Sequence, residues 1–144
     1  MSLYDDLTDK GIILKVADLF YDKVYEDPWL SLYFKEIDQE FITAQQVDFI
    51  VGAMGGPQKY SGRLPSNAHP HMFITEELFE LRTKLLEDAL KELSAPESLV
   101  EFWLKLDGSF KNSIVKKSPS ELTPRYATDE FLNFDNPNPR KKAC

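Results

Sequence analysis

Apolar positions recur at helical spacing along most of the chain, in blocks that proline, glycine and short polar runs interrupt. Asp9 stands where a helix would be capped, and Ile12, Ile13, Val16, Leu19, Phe20 and Val24 follow on one stripe until Asp27-Pro28 breaks it. Residues 29–37 are too short and irregular in pattern for a long helix and read as a compact apolar corner. Asp38 then caps a second helix carrying Phe41, Ile42, Phe49, Ile50, Ala53 and Met54. Gly55-Gly56-Pro57 ends it, glycine by terminating the helix and proline by forbidding its continuation.

Residues 57–68 hold Pro57, Gly62, Pro65, Ser66 and Asn67 and read as loop. Thr75 with Glu76 and Glu77 opens a third helix, which runs through Leu78, Phe79, Leu85, Leu86, Ala89, Leu90 and Leu93 to the break at Ser94-Ala95-Pro96. A last long helix carries Leu99, Trp103, Leu106, Phe110 and Ile114 and fades at Lys116-Lys117-Ser118-Pro119. No strand-like alternation of useful length and no internal repeat occurs. The pattern predicts one all-α domain over residues 1–117, with 118–144 as a partly flexible extension whose Thr128 to Phe134 stretch is a candidate to dock as a short helix.

Composition narrows the function classes. The 144 residues are 42% apolar and include ten Phe, six Tyr and two Trp, enough to fill one core and enclose a ligand. The net charge of −7 repels phosphate backbones and anionic lipid, and the basic run Arg140-Lys141-Lys142 sits in a proline-flanked tail, so neither nucleic acid nor membrane is an expected partner. Cys144 is alone, which excludes an intramolecular disulfide or a multi-cysteine metal site. With no signal-peptide or membrane-spanning run, the expected setting is the cytoplasm, and no sustained heptad suggests more than a monomer or weak dimer.

Two residues carry candidate chemistry. His69 follows the loop and precedes Met72, Phe73 and Ile74, so its imidazole faces an apolar setting either as a hydrogen-bonded structural residue or as a metal ligand, with His71 its sole competitor. Arg82 falls in the middle of the apolar arc of Leu78, Phe79, Leu85, Leu86 and Ala89, where an unpaired guanidinium is costly. It either snorkels to the helix edge or meets a buried anion, Asp107 being one candidate.

Taken together, the spacing of several elements resembles the truncated, two-over-two haemoglobins, closest to their group I. These are Phe20-Tyr21, Tyr33-Phe34, Gln46, Gly55-Gly56-Pro57 with Tyr60-Ser61-Gly62, and Ala68-His69 followed by Ile74-Thr75. From Tyr4 to Thr75 the register needs no gap, and it continues less distinctively to about residue 116. One departure lies before the first long helix, where the family has a further Gly-Gly and this chain has Thr8-Asp9 with Gly11 nearby.

The resemblance implies a globin-like two-over-two helical sandwich enclosing haem b, with His69 as the iron ligand. It places Tyr21 and Gln46 on the gas side, where a phenol O–H and an amide N–H stabilise a ligand that takes up partial negative charge. Phe34 packs against the porphyrin, Ile42, Ile50 and Phe73 line it, Lys59 and Arg63 are natural propionate partners beside Tyr60, and Arg82 lies near the ring, with a propionate or bound ligand as a further anion for it. Ile42 stands one turn before Gln46, where many globins place a second histidine, so bis-histidine ligation from that helix is excluded and the sixth iron position is open or water-filled unless Tyr21 approaches ferric iron.

The implied function is reversible binding of O2, with NO and CO as competing ligands. NO dioxygenation is a further implied activity and needs an external reductase, since no flavin or nicotinamide fingerprint is present. A different class is a haemless globin-like sensor or interaction module working through its acidic surface and tail.

Overall fold

The computed structural model describes residues 3–7, 9–35, 37–57, 72–116, 122, 132–134 and 137. Its helices are α1 (Leu3–Asp6), α2 (Ile12–Glu26), α3 (Gln39–Ala53), α4 (Glu76–Glu92), α5 (Glu97–Ser109) and α6 (Lys111–Ile114), with a 3-10 turn at Leu30–Tyr33 after α2. Among the described residues there is no strand, only two isolated parallel bridges, and no helix long and apolar enough to cross a membrane.

Helix α2 is the centre of the molecule and packs against both α3 and α4. Its stripe of Ile13, Val16, Ala17, Phe20, Tyr21 and Val24 is buried, as the helical spacing requires. Helix α4 answers with Leu78, Phe79, Leu86, Ala89 and Leu90, and α5 closes the core behind it with Leu99 and Trp103. Each large apolar side chain taken fully out of water contributes roughly 1.5–3 kcal/mol, so these faces carry the fold.

The helix ends follow local chemistry. Asp38 caps α3 by accepting from the Phe41 N–H at 3.0 Å, and Thr75 caps α4 by accepting from the Leu78 N–H at 3.1 Å, both as expected. Asp9 lies two residues ahead of the α2 cap position, which is Gly11, and its carboxylate accepts from the Gly11 N–H at 3.0 Å instead. Asp27 ends α2, and its Oδ1 accepts from the Trp29 and Leu30 N–H groups at 2.8 and 2.9 Å, starting the 3-10 turn.

Gly55 adopts φ 93° after α3, with Gly55 N–H to the Gly52 carbonyl and Gly56 N–H to the Val51 carbonyl, the paired C-terminal bonds that a left-handed residue permits. A Cβ on Gly56 would stand 2.7 Å from Val51 Cγ1 and 2.8 Å from the Tyr4 ring, so glycine is what lets α1 close on the end of α3. The last long helix of the sequence pattern is two helices that break at Phe110. The Ser109 hydroxyl donates to the Leu106 carbonyl at 2.6 Å beside Gly108, and both residues are weak helix formers.

Residues 72–74 run between the cap of α4 and three other segments. Ile74 bridges Val115, and its carbonyl accepts from the Lys116 N–H at 2.8 Å. Met72 bridges Leu132, and the Phe73 N–H donates to the Leu132 carbonyl at 2.7 Å. Residues 132–134 therefore dock on the domain as extended chain; residues 128–131, the rest of the candidate docking segment, lie outside the described part. The Trp29 indole donates to the Phe134 carbonyl at 2.8 Å. The Tyr33 hydroxyl accepts from the Phe134 N–H and donates to the Phe73 carbonyl, each at 3.1 Å. This return clasp is completed by the edge-on contact of the Tyr33 and Phe134 rings at 5.1 Å.

Candidate functional site

Phe20 and Tyr21 are neighbours on the inner face of α2, their rings 4.9 Å apart and edge to face. Tyr21 also meets the edge of Phe34 at 6.1 Å, because the 3-10 turn brings Phe34 back toward α2. The phenol is buried, and its pKa is pushed up to about 12, chiefly by loss of water. Arg82 opposes the shift through its charge and a hydrogen bond, while the nearby Asp107 carboxylate adds to it. At neutral pH Tyr21 is therefore an un-ionised donor.

Arg82 does not snorkel. From the buried stripe of α4 it reaches Asp107 on α5, with Nη1 2.6 Å from each carboxylate oxygen. Its guanidinium lies over the Phe20 ring at 5.0 Å. Burial works against its charge, but Asp107 and the Tyr21 phenol outweigh that, and the Arg82 pKa is raised. An arginine in an apolar arc is thus matched by a carboxylate from the next helix, one of the anions the sequence left open.

Helix α3 presents two faces. Thr43 and Ile50, seven residues apart, are buried. Ile42, Gln46 and Phe49, four and then three residues apart and so each about one turn from the last, form a half-buried strip. Phe41, placed on the apolar stripe by the sequence pattern, is 58% exposed and belongs to neither. The Gln46 side chain makes no hydrogen bond with a described residue, whereas the polar partner at Tyr21 is Arg82. Phe73 is half-buried and fixed through its backbone by the clasp.

Of the predicted site residues, the structure gathers Tyr21, Phe34 and Arg82 around one point and places Ile42, Gln46 and Ile50 on the helix packed beside α2. Lys59, Tyr60, Arg63 and His69 lie outside the described residues, as does His71. Sequence reasoning missed Phe20 as the ring beneath the guanidinium, although its position beside Tyr21 was the available signal.

These side chains fit a flat apolar cofactor with a gas-binding face. Phe34, Ile42 and Phe49 are large apolar groups packed against the core yet not fully covered, and the neutral Tyr21 phenol lies beside Phe34. Among the described residues, a hollow of about 430 Å³ between α2 and α3 is lined by Asp18, Asp22, Asp38, Gln39, Glu40 and Thr43. Its carboxylates would repel the propionates of haem, so it does not compete for that role.

Comparison with known proteins gives a consistent answer. The family model for bacterial-like globins matches residues 2–115. A group 1 truncated hemoglobin of Tetrahymena pyriformis is 30% identical over 99 residues, covering 69% of this chain and 82% of the relative. Group 1 truncated hemoglobin GlbN of Synechocystis sp. is 30% identical over 103 residues, covering 69% and 83%. The crystal structure of the Tetrahymena pyriformis protein in its Fe(III) form is similar with a TM-score of 0.71 at 27% identity, covering 81% of this chain and all of that one.

Proposed function

The chain belongs to the bacterial-like globin family, among the group 1 truncated haemoglobins, and from that premise we propose that it binds haem b through His69 and reversibly binds O2 over the face that Tyr21 guards. The observation that carries this reading is the buried, un-ionised Tyr21 phenol, set between Phe34 and Arg82. A phenol kept dry and neutral is a poor structural choice unless its O–H has something to donate to.

Haem would supply the iron that takes the gas; the chain supplies the setting. His69 would hold the iron, Phe34, Ile42, Ile50 and Phe73 would exclude water from the ring, and Lys59, Tyr60 and Arg63 would meet its rim. Tyr21 would donate a hydrogen bond toward a ligand bound on this face, with Gln46 as a second donor, each such bond worth roughly 1–3 kcal/mol to ligand retention. Residues 1–117 form the haem-holding unit and 118–144 its extension. NO and CO are competing ligands, NO dioxygenation would need an external reductase, and a cytoplasmic monomer or weak dimer belongs to the same proposal.

The test is the optical spectrum. Protein reconstituted with haemin is expected to show a sharp Soret band that His69→Ala weakens and shifts. No Soret change with the wild-type chain would leave the haemless module as the better reading.

A further inference from the structure

Arg82 is the part of the gas-side cluster that binding of a neutral gas leaves unused. It sits on the buried stripe of α4, one turn from Leu78 and Leu86, where an apolar side chain would pack without the desolvation that a guanidinium incurs. Asp107 accounts for only part of its capacity. Both carboxylate oxygens are taken by the single nitrogen Nη1, at 2.6 Å each, so Nη2 and Nε keep donors that Asp107 does not engage. Phe20 fixes where those donors lie, with one edge-to-face partner in Tyr21 and the guanidinium over its ring. The phenol and the cation therefore converge on one spot.

We propose that Arg82 and Tyr21 together make the gas side a receptor for small monovalent anions, with Asp107 as the internal competitor that sets how strongly the cation is offered. The proposal rests on the haem reading above, since the iron fixes one end of the bound anion. A neutral ligand gains only the phenol's hydrogen bond. An anion such as azide gains in addition a charge-assisted bond from the guanidinium, in a region with little water to screen it. The phenol stays a donor, not a competing phenolate, throughout the neutral range, as its raised pKa requires.

The experiment titrates the ferric, haemin-reconstituted protein with azide and with imidazole, a neutral ligand, at one pH and ionic strength, reading each Kd from the Soret shift. Arg82→Met is expected to weaken azide by about tenfold or more while imidazole moves by less than about twofold, and Arg82→Lys to restore part of the azide affinity. Asp107→Asn is expected to tighten azide, because it frees the cation while still accepting a hydrogen bond. Equal shifts for azide and imidazole in Arg82→Met, or an azide-to-imidazole ratio that does not rise in Asp107→Asn, would overturn the proposal. Should Arg82→Met not fold, that ratio in Asp107→Asn decides alone. Failure of the wild-type chain to take up haemin overturns the proposed function and this inference together, whereas a Soret band with an unchanged ratio overturns only this inference.

Discussion

The Tyr21–Arg82–Asp107 cluster and the return clasp hold aromatic side chains by opposite means. Around Tyr21 the polar groups are charged, Arg82 against Asp107, and they sit in an apolar arc. The bonds that tie Tyr33 and Trp29 to Phe73 and Phe134 are neutral, between a hydroxyl, an indole N–H and backbone amides and carbonyls. A buried ion pair is weak support for a fold, because desolvation offsets most of the attraction, while neutral bonds to backbone groups each add about 1 kcal/mol. The difference teaches where to look for purpose. The clasp needs no explanation beyond stability, and the ion pair does.

The strongest way to break this comparison is to remove one member of the pair. Asp107→Leu leaves the Arg82 cation without its partner and is expected to destabilise the chain by about 3 kcal/mol, whereas Arg82→Met with Asp107→Leu should return to within about 1 kcal/mol of wild type by urea denaturation. If the double variant is as unstable as the single one, the pair is structural after all.

Next in size is an alkaline effect centred on Tyr21. The folded-state pKa of Tyr21, about 12, lies above the ordinary phenol value of 10.0, so the folded state holds this proton more tightly. The contribution is complete below pH 10 and is lost as pH rises toward 12, amounting to about 2–3 kcal/mol across that window. Tyr21→Phe should flatten that part of the stability profile, measured by denaturation at stepped pH.

The smallest effect sharpens the clasp. Tyr33→Phe removes the acceptor of the Phe134 N–H and the donor to the Phe73 carbonyl, with an expected loss of about 1–2 kcal/mol. Combined with Arg82→Met the losses should add to within about 0.5 kcal/mol, since the bonds of Tyr33 to Phe73 and Phe134 share no residue with that of Arg82 to Asp107. Strong non-additivity would mean that the two regions are coupled.

What the sequence made legible follows the range of each interaction. The caps at Asp38 and Thr75 act within three residues and were readable from the pattern, as were the buried stripes of α2 and α4. Arg82 stood out as a conflict between charge and position, but its partner is 25 residues away, and periodicity alone could not choose between Asp107, a propionate and the solvent. The clasp was less visible still. Its bonds end on backbone groups of Phe73, Leu132 and Phe134, which any residue type could provide, so only the aromatic residues of an otherwise polar tail hinted at docking. Helix α3 misled in one place. A helix apolar on nearly every side has no single stripe, and Phe41 went to the exposed side.

The clasp also sets an order of events. The partners of Trp29 and Tyr33 lie 105 and 101 residues further along, so a chain emerging N-terminus first can complete every helix from α1 to α6 before Phe134 is available to either ring. The Tyr33 bond to Phe73 can form earlier, the bonds to Phe134 only at the end. Residues 72–74, which lead into α4, are thus bolted last, by residues synthesised after the helical domain is already whole.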